Sequence, residues 1–337
     1  MLFDPNQTEF AGDYQRVIWQ YGIHIVPPEA SLAGVEDKET RKGCMQIYDC
    51  VMEILTEMYT NPEKYKEAYP NGYNAVYLAW LVSGIKVSPF KKDIDAFARN
   101  THKNSHFGFT YDTEKDAWSN DRYPLVCEYL TRFATVCAKN VSTNMGNYVQ
   151  RLDFRLFAKR IVHTFDDLLR PLPDKVRACF LELREYALST GMAEGNGAYS
   201  SSYAYKGMSM LSLHNDPACV WIPYGQKGLK PIPGYFERFL EIAEKQPDAD
   251  TLVPYIRDNI NICDDCGYLA SSKKRKEKGI RKNCGYYWVD IRGVKLLSCF
   301  ASKIRKYGII NDEDVRILKR LIDIRIEQID SLEKREI

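Results

Sequence analysis

No apolar run in this chain is long enough to cross a bilayer. The longest, Ala75 to Ile85, covers about half of the ~20 residues a membrane helix needs. The first ten residues, MLFDPNQTEF, carry acids early and have neither a basic start nor an apolar core, so no secretory signal is expected. Also absent are a Walker phosphate loop, a serine nucleophile elbow and a His-Glu-x2-His motif. The commonest nucleotide hydrolases, serine esterases and zinc proteases are thereby set aside. There is no internal repeat, no long low-complexity tract and little net charge, +2 over the whole chain.

What is present is the composition of an ordinary globular protein, 45% apolar and 27% charged. Its 337 residues fit two domains better than one. A cytoplasmic protein without membrane contact is expected. In a reducing compartment its ten cysteines mean buried small hydrophobes, thiol chemistry or metal ligation rather than a disulfide framework. Cys44, Cys50, Cys127, Cys137, Cys179 and Cys219 sit mostly within apolar helical patterns and read as core packing.

Periodicity points to helices. From about Arg41 to Met58, apolar residues recur at three and four, and Asn61-Pro62 ends the pattern. Further helices are expected over Gly72–Val82, Pro89–Arg99, Leu125–Ala138, Arg151–Leu169, Asp174–Leu188, Tyr235–Ala243 and Leu252–Ile262. The β-branched and aromatic stretch Arg16–Val26 (RVIWQYGIHIV) is read as a strand, and Cys284–Ile291 (CGYYWVDI) as the best one. Two helices are expected at the end: Gly293–Tyr307, stopped by Gly308, and one capped by Asn311 with Glu313 and Asp314 in its first turn. Ile310 and Val315 suit a hydrophobic staple across that cap.

Composition shifts at Gly191–Gly207, which packs four glycines, three serines and three tyrosines into seventeen residues without apolar periodicity. The expected organisation is an N-terminal helical domain over 1–190, a linker or loop over 191–207 and a C-terminal domain over 208–337. The expected fold class is mainly α with a small β component in two helical lobes, with α+β as the alternative.

Chemistry concentrates between Cys263 and Cys299. Cys263 and Cys266 have the Cys-x2-Cys spacing of a metal knuckle, with Gly267 behind them to relieve the turn. Cys284 follows at an interval usual between zinc half-sites, and Cys299 is the remaining nearby sulfur. Zinc held by these four is the expected cofactor, against buried reduced cysteines, a redox dithiol or an iron–sulfur cluster. His214 or an acid is the alternative fourth ligand.

Between the cysteines, Lys273, Lys274, Arg275, Lys276, Lys278, Arg281 and Lys282 face a single acid, Glu277. Residues 265–310 hold twelve Lys and Arg against three acids, a net +9 that leaves −7 elsewhere. Such a field draws anions, and the YYW that follows could stack on bases. Lys295, Lys303, Arg305 and Lys306 add to it from an expected helix-turn-helix over Gly293–Leu332.

Three functional readings follow. The leading one is a binding protein whose C-terminal lobe offers a metal-tied basic surface to nucleic acid or another polyanion. The second is an enzyme using His163, Asp166 and Asp167, whose i, i+3, i+4 spacing would put an imidazole and carboxylates on one helix face. The third is a homo-oligomeric scaffold assembled through the broad apolar face of the last helix. His102 and His106, spaced for one face of a helix, fall where the helical pattern fades and read as loop.

Overall fold

The computed structural model describes residues 3–7, 9–85, 106–140, 145–158, 161–197, 199–215, 218–224, 226–227, 230–231, 234–262, 287–298, 303–308 and 310–333. The chain divides into two compact units, Met1–Val162 and His163–Ile337. That division falls between Val162 and His163, whereas composition pointed to 191–207. Helix outweighs strand, and the fold is mixed, in line with the α+β alternative.

The N-terminal unit is helical. Its main elements are α1 (Asp13–Ile23), α2 (Lys38–Thr60), α3 (Ala75–Ser83), α4 (Val126–Asn140) and α5 (Met145–Arg151), with a hairpin of β1 (Phe109–Asp112) and β2 (Ala117–Asn120). The expected strand at Arg16–Val26 is instead most of α1. Tyr14, Ile18 and Gly22, four apart, are its buried residues, and that spacing outweighed the β propensity of the side chains. In α2, Cys44, Ile47, Val51, Ile54, Leu55 and Met58 are buried as the periodicity required. Asp37 caps this helix, its side chain accepting from the Thr40 amide. Gly43 lets α4 come close, because a Cβ there would overlap the ring of Tyr129.

The helix expected over Arg151–Leu169 is broken. After α5 ends at Arg151, Leu152 turns into the left-handed region (φ 52°), a 3-10 turn covers Phe154–Phe157, and helix resumes only at α6 (Phe165–Leu169). A capping box starts that helix afresh: Asp167 N–H donates to Thr164 Oγ1 (3.4 Å), and Thr164 N–H to Asp167 Oδ2 (3.0 Å).

The C-terminal unit is built on a five-stranded antiparallel sheet. Helix α7 (Asp174–Ser189) leads into β3 (Ala193–Asn196), β4 (Ser200–Tyr205), β5 (Met208–Asn215) and β6 (Ala218–Pro223). Within the Gly, Ser and Tyr stretch read as a linker or loop, Ala193–Asn196 and Ser200–Tyr205 are strands. Helices α8 (Tyr235–Glu244) and α9 (Ala249–Asn259) follow, then the hairpin β7 (Tyr287–Ile291) and β8 (Val294–Ser298), then β9 (Lys303–Tyr307) and α10 (Asp312–Glu333). Strand order is β9-β6-β5-β4-β3.

The expected helix over Gly293–Tyr307, and with it the helix-turn-helix, is thus replaced by strands. Arg292 and Gly293 both have positive φ (50° and 82°) between the paired Ile291 and Val294, the geometry of a two-residue hairpin turn. Asp290 Oδ1 accepts from Gly293 N–H at 2.8 Å and secures it. The last helix is capped as expected: Asp314 N–H donates to Asn311 Oδ1 (2.9 Å) and Asn311 N–H to Asp314 Oδ2 (3.1 Å). One core collects Tyr203, Leu211, Leu213, Val220, Ile222 and Ile304 from the sheet with Phe180, Leu183, Phe239, Leu252, Leu318 and Leu321 from the helices.

Candidate functional site

Pleat alternation sorts the sheet into two faces. The apolar residues just named occupy one. On the other, register places Ser202, Ser212, Trp221 and Arg305 in one row across β4, β5, β6 and β9. The next row holds Ser200, His214, Cys219 and Tyr307, and Lys303 lies two residues along β9 from Arg305. None of these four strands contains an Asp or Glu. The sheet's one acid, Glu194 on β3, is held by Arg184 (2.7 and 3.1 Å) and by the Tyr203 hydroxyl (2.9 Å).

Trp221 is the centre of this face. The His214 ring lies 3.8 Å from it, centroid to centroid, tilted by 36°. Lys303 Nζ is 3.4 Å from the indole centroid, and Arg305 Cζ is 5.2 Å from it. A cation against an indole face is favourable by about 0.5–2 kcal/mol, so both cations are drawn onto Trp221. Lys303 is nearly buried, at 9% exposed, while His214, Trp221 and Arg305 are half-buried.

Burial, then the charges of Lys303 and Arg305, pushes the His214 imidazole down to about 4, so it is neutral at pH 7. Among the described residues, its Nε2 and the Nε of Arg305 are shielded from water without a hydrogen-bond partner. Burial likewise pushes the Cys219 thiol up to about 11, so it is neither a thiolate nucleophile nor a ready metal ligand at pH 7. Chemically, the face offers two cations, unsatisfied polar nitrogen and two stackable rings. That combination suits an anion attached to a planar group.

The basic residues of the C-terminal segment are divided by their partners. Arg292 is held by Glu244 (2.8 Å) and Asp250 (3.0 Å), and Lys306 by Asp314 (3.1 Å). Lys295 is exposed on β8. Arg305 makes no ion pair within 4 Å among the described residues, its neighbour being Trp221.

Cys263, Cys266, Cys284 and Cys299 lie outside the described residues, as do Lys273, Lys274, Arg275, Lys276, Lys278, Arg281 and Lys282. The helix expected over Pro89–Arg99 and His102 also lie outside them, and His106 begins a 3-10 turn whose first side chain is likewise undescribed. Among the described residues, no three His, Cys, Asp or Glu side chains are grouped to hold a metal ion. The six cysteines read as core packing are free, and all but the half-buried Cys127 are buried.

His163, Asp166 and Asp167 take different surroundings. Asp167 is buried in the capping box and in an ion pair with Arg170 (3.0 Å), with His163 Nδ1 at 3.9 Å, while Asp166 is exposed. On α10, Val315, Ile317, Leu318, Leu321, Ile322, Ile324 and Ile329 are at most 5% exposed. Their own unit covers the apolar face on which the oligomer reading rested.

Trp221 and His214 were missed as a pair because 217–233 reads as irregular. The alternation of ACVWIP, with Val220 and Ile222 on one side and Cys219 and Trp221 on the other, is the signal that identifies the strand. Among the described residues no helix is long and apolar enough to cross a membrane. Compared with known proteins, the chain matches no family model, no curated protein and no solved structure.

Proposed function

We propose that the C-terminal unit is a binding module for single-stranded nucleic acid or a similar polyanion, which lies across the polar face of the five-stranded sheet. The carrying observation is a face whose four strands bear no acid, on which Lys303 and Arg305 flank Trp221 with His214 stacked beside it. Phosphates meet the two cations, and a base stacks on the exposed part of the indole. Open antiparallel sheets with aromatic residues at their centre suit unpaired bases in this way. The basic run Lys273–Lys282 extends the same attraction without reading sequence. Zinc at Cys263, Cys266, Cys284 and Cys299 is part of this proposal, as is a cytoplasmic location. Elemental analysis of untagged protein and of Cys263→Ser/Cys266→Ser tests the metal.

Fluorescence anisotropy of a labelled single-stranded oligonucleotide, in rising salt, tests the binding. Affinity should fall steeply with salt. Trp221→Ala should cost about 1–3 kcal/mol, the worth of one stacked base. Arg305→Gln should flatten the salt slope by roughly one phosphate contact. No binding at low salt rejects the module. Binding that survives both substitutions but is lost on neutralising Lys273–Lys276 moves the interface off the sheet.

A further inference from the structure

The last helix carries a second feature. Along its inward seam, Val315, Leu318, Ile322 and Ile329 follow the 3-4 spacing of a buried stripe, and the position between the last two is Arg325. Arg325 is 0% exposed, the largest of the fully buried side chains among the described residues. Among the described residues it has no carboxylate partner. Its Nη1 donates to the Tyr224 carbonyl (3.4 Å) and to Gln328 Oε1. Gln328, also fully buried, donates in turn to the Tyr235 carbonyl, so the guanidinium plane is held from one end. Its Nε and Nη2 are shielded from water and have no hydrogen-bond partner among the described residues.

The identity of those two atoms matters. Nε–H and the adjacent Nη2–H point the same way and form the side-on edge of the guanidinium fork. That edge matches the two oxygens of a planar carboxylate. Three of the five N–H donors of the group sit on these two nitrogens. A buried, uncompensated cation is among the most costly things a core can contain, and an apolar residue of similar volume would be cheaper. The surroundings are aromatic: the Tyr235 ring lies 5.8 Å from Arg325 Cζ, and Tyr224 packs on Phe236 (4.7 Å) and Phe239 (5.9 Å). Among the described residues no second cation acts on Arg325; one positive charge matches a monoanion, and aromatic neighbours match an apolar body.

We propose that Arg325 is the receptor of a small-molecule site in the C-terminal unit, taking the carboxylate of an apolar or aromatic monocarboxylic acid on its Nε/Nη2 edge. This site is independent of the polar sheet face: it depends on α10, the end of β6 and the start of α8. Burial lowers the guanidinium to about 10, so it stays charged at pH 7 and the attraction holds across the neutral range.

Thermal unfolding of the full chain tests it, with benzoate, its neutral analogue benzamide and inorganic phosphate as probes and Arg325→Met as the variant. Benzoate at about ten times its Kd should raise the wild-type Tm by roughly 3 °C or more. Benzamide should leave it unchanged, and the variant, relieved of a buried charge, should melt no lower than wild type and ignore benzoate. No shift with benzoate, or an equal shift in the variant, overturns the site and leaves Arg325 a structural residue served by water. A response to phosphate but not to benzoate overturns the carboxylate assignment. Should Arg325→Met fail to fold, Gln328→Leu, which frees the end that holds the fork, must weaken the benzoate response for the site to stand.

Discussion

His214 makes the polar face sensitive to acid in a direction that can be worked out. Free histidine titrates near 6.5, and here burial and the neighbouring Lys303 and Arg305 bring the imidazole to about 4. The folded state therefore resists the proton that the unfolded chain accepts. Stability is at full value above about 6.5 and is lost as pH falls from there towards 4. Taken whole, that gap is worth ~3 kcal/mol at 1.36 kcal/mol per pH unit; His214 is half-buried, and water reduces the figure to about 1.5 kcal/mol. Urea unfolding of wild type and His214→Gln at a series of pH values isolates the term. The wild type should lose about 1.5 kcal/mol more than the variant between pH 7 and pH 4. The His214 ring proton, followed by NMR, should titrate near 4. A midpoint at 6.5 or higher would mean that the ring is solvated or faces an acid, and would refute the reasoning from Lys303 and Arg305. A bound phosphate chain should move that midpoint upward by opposing the two cations, so binding near pH 5 should take up a proton.

Other outcomes follow from single contacts. Asn311→Ala removes the acceptor that caps α10 and should cost about 1 kcal/mol, read as a lower midpoint in urea. Gly43→Ala drives a methyl into the Tyr129 ring and should destabilise the N-terminal unit by about 1–3 kcal/mol, measured by hydrogen exchange within that unit. Burial pushes the Cys44 thiol up to about 12 and raises Cys50 and Cys137 further. All three should resist iodoacetamide at pH 8 and react only in denaturant, as peptide mass spectrometry would show.

Local signals were legible where the chain folds on itself. The three- and four-residue spacing in α2, the helix at α7, and the Asn311 cap with its acidic first turn could all be read directly, because helix contacts are near in sequence. Two misreadings came from short-range chemistry passed over. Thr164 and Asp167 spell a capping box inside an apparently continuous helix, and Arg292-Gly293 spells a hairpin inside another. The strand assignment of Ser200–Tyr205 was hidden for a different reason. Its first three residues are all serines, one on the core side (Ser201 opposite Leu213) and two on the other (Ser200 opposite His214, Ser202 opposite Ser212), so no apolar alternation marks it. The polar face was beyond local reading altogether, because Trp221 meets Lys303 and Arg305 only when β9 pairs with β6 across a long stretch of chain. Arg325 was legible in principle, as a charge occupying a position in an apolar stripe.

The late arrival of β9 has a consequence for how the protein is made. Strands β3 to β6 are synthesised in succession and can pair as they emerge, but β6 stays an open edge until residues 303–307 leave the ribosome. Through that interval its apolar ladder is open to strands of other chains, which makes the partly synthesised chain the species most exposed to aggregation. Both cations of the polar face arrive on the same closing strand. Pairing of β6 and the arrival of these two cations are therefore one event, and a chain cut before Lys303 would lose the cover on β6 and the cations beside Trp221 together.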